Sequence, residues 1–214
     1  MTRFTLLLFL IVSAPSLYGQ FGVSGFYNFN DARAVGDDVN PAANELLYEH
    51  GQEIALNYWF RLPTRRIEFQ PTAYYTFSPS EVGYREAGFQ FKTNLYVFDL
   101  GTDCDCPTFG KQGPKLEKGF FLQLSPGISH HWLRSEAATD VSQTALSLGA
   151  GIGLDFGITN LLTLTPILSV RHTLTDFTGV DFTDENDQSA DISGRLTSYQ
   201  VGLQATFRLD KKRY

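Results

Sequence analysis

Sulfur is scarce in this chain of 214 residues: Met1 is the one methionine, and Cys104 and Cys106 are the two cysteines. Two thiols cannot supply a disulfide scaffold, so the fold has to rest on packing and backbone pairing. Long apolar runs are lacking too. The apolar core at residues 4–12 covers nine residues, against the ~20 that a membrane-spanning helix needs. No later stretch approaches that length without polar interruption, which excludes a helical membrane protein. Basic charge is in deficit: 17 Lys and Arg against 23 Asp and Glu give a formal net charge of −6. No basic stripe exists to neutralise phosphates, so nucleic acid is not a partner. What the chain does have is aromatic residues, at 14%, and 19 glycines. Together they suit β structure with tight turns.

The first 19 residues read as a secretory signal. Arg3 supplies positive charge, Phe4 to Val12 the apolar core, and Ser13, Ala14 and Gly19 the small residues near a cleavage site. Cleavage after Gly19 leaves a domain of residues 20–214, enough for one sizeable core.

The dominant periodicity in that domain is two. In "IALNYWF", Ile54, Leu56, Tyr58 and Phe60 share one face, opposite Glu53, Asn57, Trp59 and Arg61. In "RIEFQPTAYYTF", Ile67, Phe69, Ala73, Tyr75 and Phe77 alternate with Arg66, Glu68, Gln70, Thr72 and Tyr74. Phe89, Phe91, Leu95 and Val97 oppose Gln90, Lys92, Asn94 and Tyr96. Equivalent apolar rows start at Phe21, Phe120, Leu146, Leu162 and Tyr199, with Asp155, Arg171 and Arg208 on the polar sides. Eight such stretches of ~10–13 residues predict eight strands, each long enough for the ~9–11 residues of a tilted bilayer crossing.

A soluble barrel of lipocalin type would turn the apolar rows inward; a membrane barrel turns them to lipid. An eight-stranded interior has room for little more than side chains, and eight rows rich in Phe, Tyr and Leu would overfill it. The connections also differ in length. Residues 31–50 and 174–194 are long and acidic, whereas 62–66 and 157–160 are tight, the habit of outer-membrane barrels. Aromatics such as Tyr27, Phe29, Tyr58 and Phe60 fall toward strand ends, where an interfacial girdle belongs. The expected fold is therefore all-β: an eight-stranded antiparallel up-and-down transmembrane barrel in the outer membrane. Its even strand number places both termini on the periplasmic side, and the segment 101–118 with them.

Pro71, Pro126 and Pro166 sit at matching positions in "FQPTAYY", "LSPGISH" and "LTPILSV", in the third, fifth and seventh stretches. Proline cannot donate to a ladder, so each predicts a bulge or a missing bond. These strands, together with "CDCPTFGKQG" before "KGFFLQLSPGISH" and the "GQ" junction, resemble the small outer-membrane β-barrel proteins of Bacteroidota, grouped as PorT-like or OmpA/OmpX-like. The resemblance implies an eight-stranded outer-membrane barrel, and for most such proteins no defined activity. PorT itself is tied to the type IX secretion machinery. In the last stretch, Gln200, Gly202, Ala205 and Phe207 resemble the signal read by the barrel-assembly machinery, which would be a partner during insertion.

Several groups are candidates for chemistry. Cys104 and Cys106, in a turn made basic by Lys111, Lys115 and Lys118, admit a local disulfide, two free thiols or a link to another chain, or a metal site with Asp103 or Asp105. That turn is the expected contact for an envelope protein partner. The inward charges Glu53, Arg61, Arg66, Glu68, Lys92, Asp155, Arg171 and Arg208 are expected to pair across the lumen, since buried charges must be compensated, which leaves no solute-sized pore. Ser129, His131 and His172, with Glu136 and Asp176, are the residue types of an acyl-transferring set. Parity divides them, Ser129 and His131 inward, His130 and His172 outward. The acidic run 181–191 lacks the spacing of a calcium loop and reads as solvated. The expected role is non-enzymatic, structural or accessory, with no cofactor and no metal and with outer-membrane lipid as surroundings. The alternatives are a lipid A-modifying enzyme and a surface module acting through its acidic loops.

Overall fold

The computed structural model describes residues 20–34, 50–61, 66–78, 83–98, 119–135, 138–159, 161–175, 177–178, 182–183, 189–190 and 193–207. The eight expected strands form as β1 (Gln20–Ala34), β2 (His50–Arg61), β3 (Ile67–Phe77), β4 (Gly83–Leu95), β5 (Phe120–Ser135), β6 (Ala138–Leu154), β7 (Leu162–Thr173) and β8 (Ser193–Phe207). Each pairs antiparallel with its sequence neighbour. β8 then returns to β1, from Phe21↔Phe207 to Ala34↔Gly194, which closes the sheet. A two-residue piece, Phe156–Gly157, prolongs β6 along β7, and Phe177–Thr178 lies against the start of β8.

Alternation decides which face meets what. Leu148 is 42% exposed and Leu203 is 50% exposed, whereas Glu53, Arg171 and Gln200 are buried. The apolar rows therefore cover the outside and the polar rows fill the lumen. In water that outer wall would be one continuous hydrophobic patch; in hydrocarbon it is solvated, and the closed ladder leaves no strand edge in the lipid.

Two features differ from the expected strand lengths. β5 and β6 run to 16 and 17 residues, and β1 and β8 to 15 each. β6 pairs with β7 only as far as Ser147↔Thr173, while its pairing with β5 continues to Ser135↔Ala138. Among the described residues, β1–β2 pairing is seen up to Phe29↔His50, where the described part of β2 begins, and β1–β8 runs on to Ala34↔Gly194. The β5–β6 hairpin projects past the rim, and β1–β8 pairing continues beyond the described start of β2. Beyond the bilayer, water can satisfy a free backbone edge, so the need for closure ends there.

The three prolines share one consequence. β2–β3 pairing runs to Asn57↔Thr72 and resumes at Phe60↔Phe69, skipping Pro71. β4–β5 pairing runs to Gln90↔Gly127 and resumes at Thr93↔Leu124, skipping Pro126. β6–β7 pairing ends at Gly153↔Ile167 and resumes at Phe156↔Leu164, skipping Pro166. On its other side each proline keeps a partner: Phe91, Leu148 and Leu203. The missing N–H thus opens the ladder toward the preceding strand only. Near Pro71, the Thr72 hydroxyl donates to the Gln70 carbonyl at 2.9 Å.

The lumen is not wholly polar. Phe26, Phe121 and Ile167 point inward and pack with Tyr96 into an apolar cluster, each 5% exposed or less. The rings lie flat over glycines of adjacent strands. A Cβ on Gly153 would collide with the Phe121 ring, and one on Gly202 with the Phe26 ring. Gly153→Val is accordingly expected to cost ~3 kcal/mol through overpacking. Because the two residues occupy one space, the Phe121→Ala, Gly153→Val double variant should be at least ~1 kcal/mol more stable than the sum of the single losses. Urea unfolding in detergent micelles measures both; strict additivity would contradict the ring-over-glycine packing.

Candidate functional site

The lumen holds two polar layers separated by the apolar cluster. The layer nearer the projecting hairpin is built on Arg171 of β7. Its Nη1 donates to Glu53 Oε2 at 2.9 Å and its Nη2 to Glu86 Oε2 at 3.1 Å, with all three side chains 3% exposed or less. The guanidinium also lies 4.2 Å from the centre of the Tyr74 ring. Glu53 Oε2 accepts further bonds from Thr76 Oγ1 (3.0 Å) and Gln200 Nε2 (2.9 Å). Glu86 accepts from Tyr74 Oη at 2.6 Å and Tyr84 Oη at 3.0 Å. Five strands thus converge on one guanidinium and two carboxylates. Removing Arg171 would leave two buried carboxylates facing each other, the costly way to break such a group.

Tyr84 extends this layer to β5. Its oxygen is 2.9 Å from His131 Nδ1, and His131 Nε2 is 2.8 Å from Ser129 Oγ. With Tyr84 donating to Glu86, its oxygen accepts from His131 Nδ1–H, and Nε2 is left to accept the Ser129 hydroxyl. The order of groups, hydroxyl, imidazole, orienting oxygen, is that of an activated nucleophile. Access is what it lacks: Ser129 is 2% exposed and His131 4% exposed.

The layer nearer the chain termini is centred on Tyr96, just past the end of β4. Its hydroxyl lies 2.6 Å from both Glu68 Oε2 and Asp155 Oδ2. Trp59 Nε1 donates to the same Glu68 oxygen at 2.6 Å, and Thr165 donates to Asp155. Arg66 stacks over the Tyr96 ring, its guanidinium carbon 4.4 Å from the ring centre. Between the layers, Lys92 is buried with its ammonium 4.9 Å from the Phe26 ring centre.

Of the eight expected lumen charges, Glu53, Glu68, Lys92, Asp155 and Arg171 are buried inside the barrel, and Arg66 closes the terminal end. Glu53 and Arg171 meet directly. The Arg61 side chain and Arg208 lie outside the described residues, as do Cys104, Cys106, the segment 101–118 and residues 1–19. Ser129 and His131 come together; His172 is on the other face of the wall, bonded to Thr197 at 2.9 Å, so the three are divided as parity expects. Gln200 serves the ionic layer, Gly202 accommodates the Phe26 ring, and Phe207 faces outward at 47% exposure. Sequence reasoning missed Glu86 and Tyr84. The row that begins at Phe89 starts too late: "YREAGFQF" carries the alternation back to Tyr84, and both residues share parity with Gln90 and Lys92.

A closed barrel with this apolar wall and filled polar lumen is an outer-membrane β-barrel. No protein-family model matches the sequence, and no curated protein matches it. Solved structures similar to it include Neisserial surface protein A, 12% identical over 86% of this chain and 95% of that one with a TM-score of 0.46. Others are Ail of Yersinia pestis, 11% identical over 88% and 99% with a TM-score of 0.42, and OprG of Pseudomonas aeruginosa, 10% identical over 90% and 97% with a TM-score of 0.48. At these values the likeness carries no weight beyond description; the architecture rests on the chain's own strand pairing.

Arg171→Met is expected to destabilise the barrel by ~3–5 kcal/mol, and adding Glu53→Gln and Glu86→Gln should recover most of the loss, both read by urea unfolding in micelles. Separately, a fluorophosphonate probe should leave Ser129 unlabelled in the folded protein and in native membranes; stoichiometric labelling, abolished by His131→Ala, would reverse the reading of Ser129 as a closed structural group.

Proposed function

We propose that this chain is a non-enzymatic, non-conducting component of the outer membrane, an accessory part of the cell envelope whose work is done outside its own lumen. The observation that carries this is the obstruction of the lumen at three levels: the Arg171–Glu53–Glu86 layer, the Phe26–Phe121–Ile167 cluster and the Tyr96–Glu68–Asp155 layer. An eight-stranded cylinder has little space to begin with, and here side chains occupy it throughout. With the interior closed and the wall committed to lipid, the rims and connecting segments remain for partners.

A place in a secretion or assembly complex is the finer form of this proposal. In this reading residues 1–19 export the chain, the barrel-assembly machinery inserts it, and the periplasmic segment 101–118 binds an envelope protein. The rival enzymatic reading has the 2.8 Å Ser129–His131 contact in its favour. Set against it is the burial of both groups beneath the ionic layer's own tyrosines. The other rival, a surface binding module, relies on loops 31–50 and 174–194, whose central parts lie outside the described residues.

Two measurements test the proposal. Reconstituted into planar bilayers, the protein should give no stepwise ion currents; steady open-channel steps would overturn the non-conducting reading. Affinity purification from native membranes in detergent should recover a stoichiometric envelope protein, lost when residues 101–118 are shortened to a tight turn. Retention of that protein by the shortened chain, together with its loss on deleting 35–49, would favour the surface module.

A further inference from the structure

Charge on the outer wall is unevenly placed. At the rim that carries the termini, the described outward-facing positions are Phe21, Tyr58, Phe60, Ile67, Phe69, Leu95, Phe120, Leu162 and their like, with no charged side chain among them. The opposite rim differs. There His50 and Arg85 face outward and exposed, and His130 and His172 face outward and half-buried. All three outward histidines and the outward Arg85 thus belong to one rim. Arg195 faces outward near the start of β8, and Asp31 is the outward acid toward this end among the described residues.

Arg85 is the best-defined member. It stands in one cross-strand row between Phe77 of β3 and Trp132 of β5. Phe77 is 38% exposed and Trp132 36% exposed, so Arg85 leaves the wall between two aromatic residues that themselves face outward. His130, next to it on β5, packs edge-on to Trp132 with ring centres 4.5 Å apart and is fixed by a 2.8 Å bond between its Nδ1 and Thr144 Oγ1. A cation set among aromatics on a lipid-facing wall, at the height where hydrocarbon gives way to headgroups, faces an anion that belongs to the membrane itself. A guanidinium offers forked donors that fit phosphate oxygens, while the flanking rings suit acyl chains and the interface.

We propose that Arg85, Phe77, Trp132 and His130 form a binding site on the outer wall for a phosphorylated, acylated lipid of the outer leaflet. The phosphate sits on Arg85 with His130 beside it, and the chains run down the wall past Phe77 and Trp132. The proposal rests on the outer-membrane reading above, and it goes beyond that reading by naming a lipid class and its site. A lipid headgroup is favoured over a free phosphate because the site opens onto hydrocarbon, where a hydrated ion gains nothing by lying.

The test uses the full protein in nanodiscs of phosphatidylcholine containing a small fraction of bis-phosphorylated lipid A. Lipids retained on the barrel after gentle release into detergent are counted by native mass spectrometry. The wild-type protein should retain lipid A over phosphatidylcholine. Arg85→Ala should lower that retention about fivefold, the worth of one basic side chain near an anionic surface. Trp132→Ala should lower it as well, and inorganic phosphate at millimolar concentration should neither bind nor displace the lipid. Equal retention by wild type and Arg85→Ala overturns the proposal, and so does displacement by inorganic phosphate, which would make it a free-anion site. Heat-modifiable migration on gels and entry into the nanodisc are followed in parallel. Failure of the wild-type chain to enter the bilayer sinks the membrane reading, whereas entry without lipid A selectivity sinks the site alone.

Discussion

Hydrocarbon offers nothing to an unpaired N–H or C=O, and this one constraint organises the molecule. It requires the ladder to close, which β1 and β8 do over their whole length. It also explains where closure ends. Past Ser147↔Thr173 the β6–β7 ladder ends, and the β5–β6 hairpin continues as a two-stranded extension. The prolines are the visible exceptions. Each opens its ladder on one side while keeping pairs on the other, and beside Pro71 the Thr72 hydroxyl donates to the Gln70 carbonyl of the same strand. A proline in such a wall is tolerable because the break is local and faces one seam at a time.

Closure dictates the interior as well. Eight strands enclose a narrow cylinder, and each inward side chain must fit beside those of neighbouring strands and leave no polar group stranded. The chain answers the first demand with glycine: Phe121 lies over Gly153, Phe26 over Gly202 and Tyr74 over Gly88. It answers the second by clustering charges in layers. Arg171 is shared between Glu53 and Glu86 so that one cation compensates two acids, and the remaining acceptor positions are filled by Tyr74, Tyr84, Thr76 and Gln200. The Ser129–His131 pair is read most simply as the outlying end of this layer, since its imidazole is oriented by a tyrosine that already serves Glu86.

Fold and facing were legible in the sequence because period two is a property of single strands and survives without knowledge of neighbours. Parity alone placed Glu53, Lys92 and Arg171 inside and Leu148 and Leu203 outside. What parity cannot supply is height along the cylinder, because strand tilt and stagger set which inward residues share a level. The expectation of charges pairing across the lumen was therefore formed without a way to choose partners. Glu86, lost to a strand boundary drawn at a glycine, turned out to be half of the central group. The apolar cluster was missed for a related reason. Phe26, Phe121 and Ile167 each interrupt the alternation singly, and only the juxtaposition of four strands makes them a layer. Their signal was present indirectly, in inward-parity glycines such as Gly153 and Gly202, which are empty positions awaiting a ring from next door.

The same logic separates the two surfaces of the wall. Inside, Glu53, Glu86 and Arg171 are each tied into a layer by several partners, and that degree of engagement marks a structural group. Outside, Arg85 stands in a row between two exposed aromatics, and none of the described side chains pairs with it, so its charge is left to the surroundings. A guanidinium facing hydrocarbon alone would be severely destabilising, and a barrel has no need of one there for closure or packing; the opposite rim does without charge at every described outward position. The cation is tolerable only at a depth where anionic headgroups reach it. Its retention on one rim therefore ties the barrel's orientation to the composition of the leaflet that surrounds that rim, through the same electrostatics that the lumen settles internally.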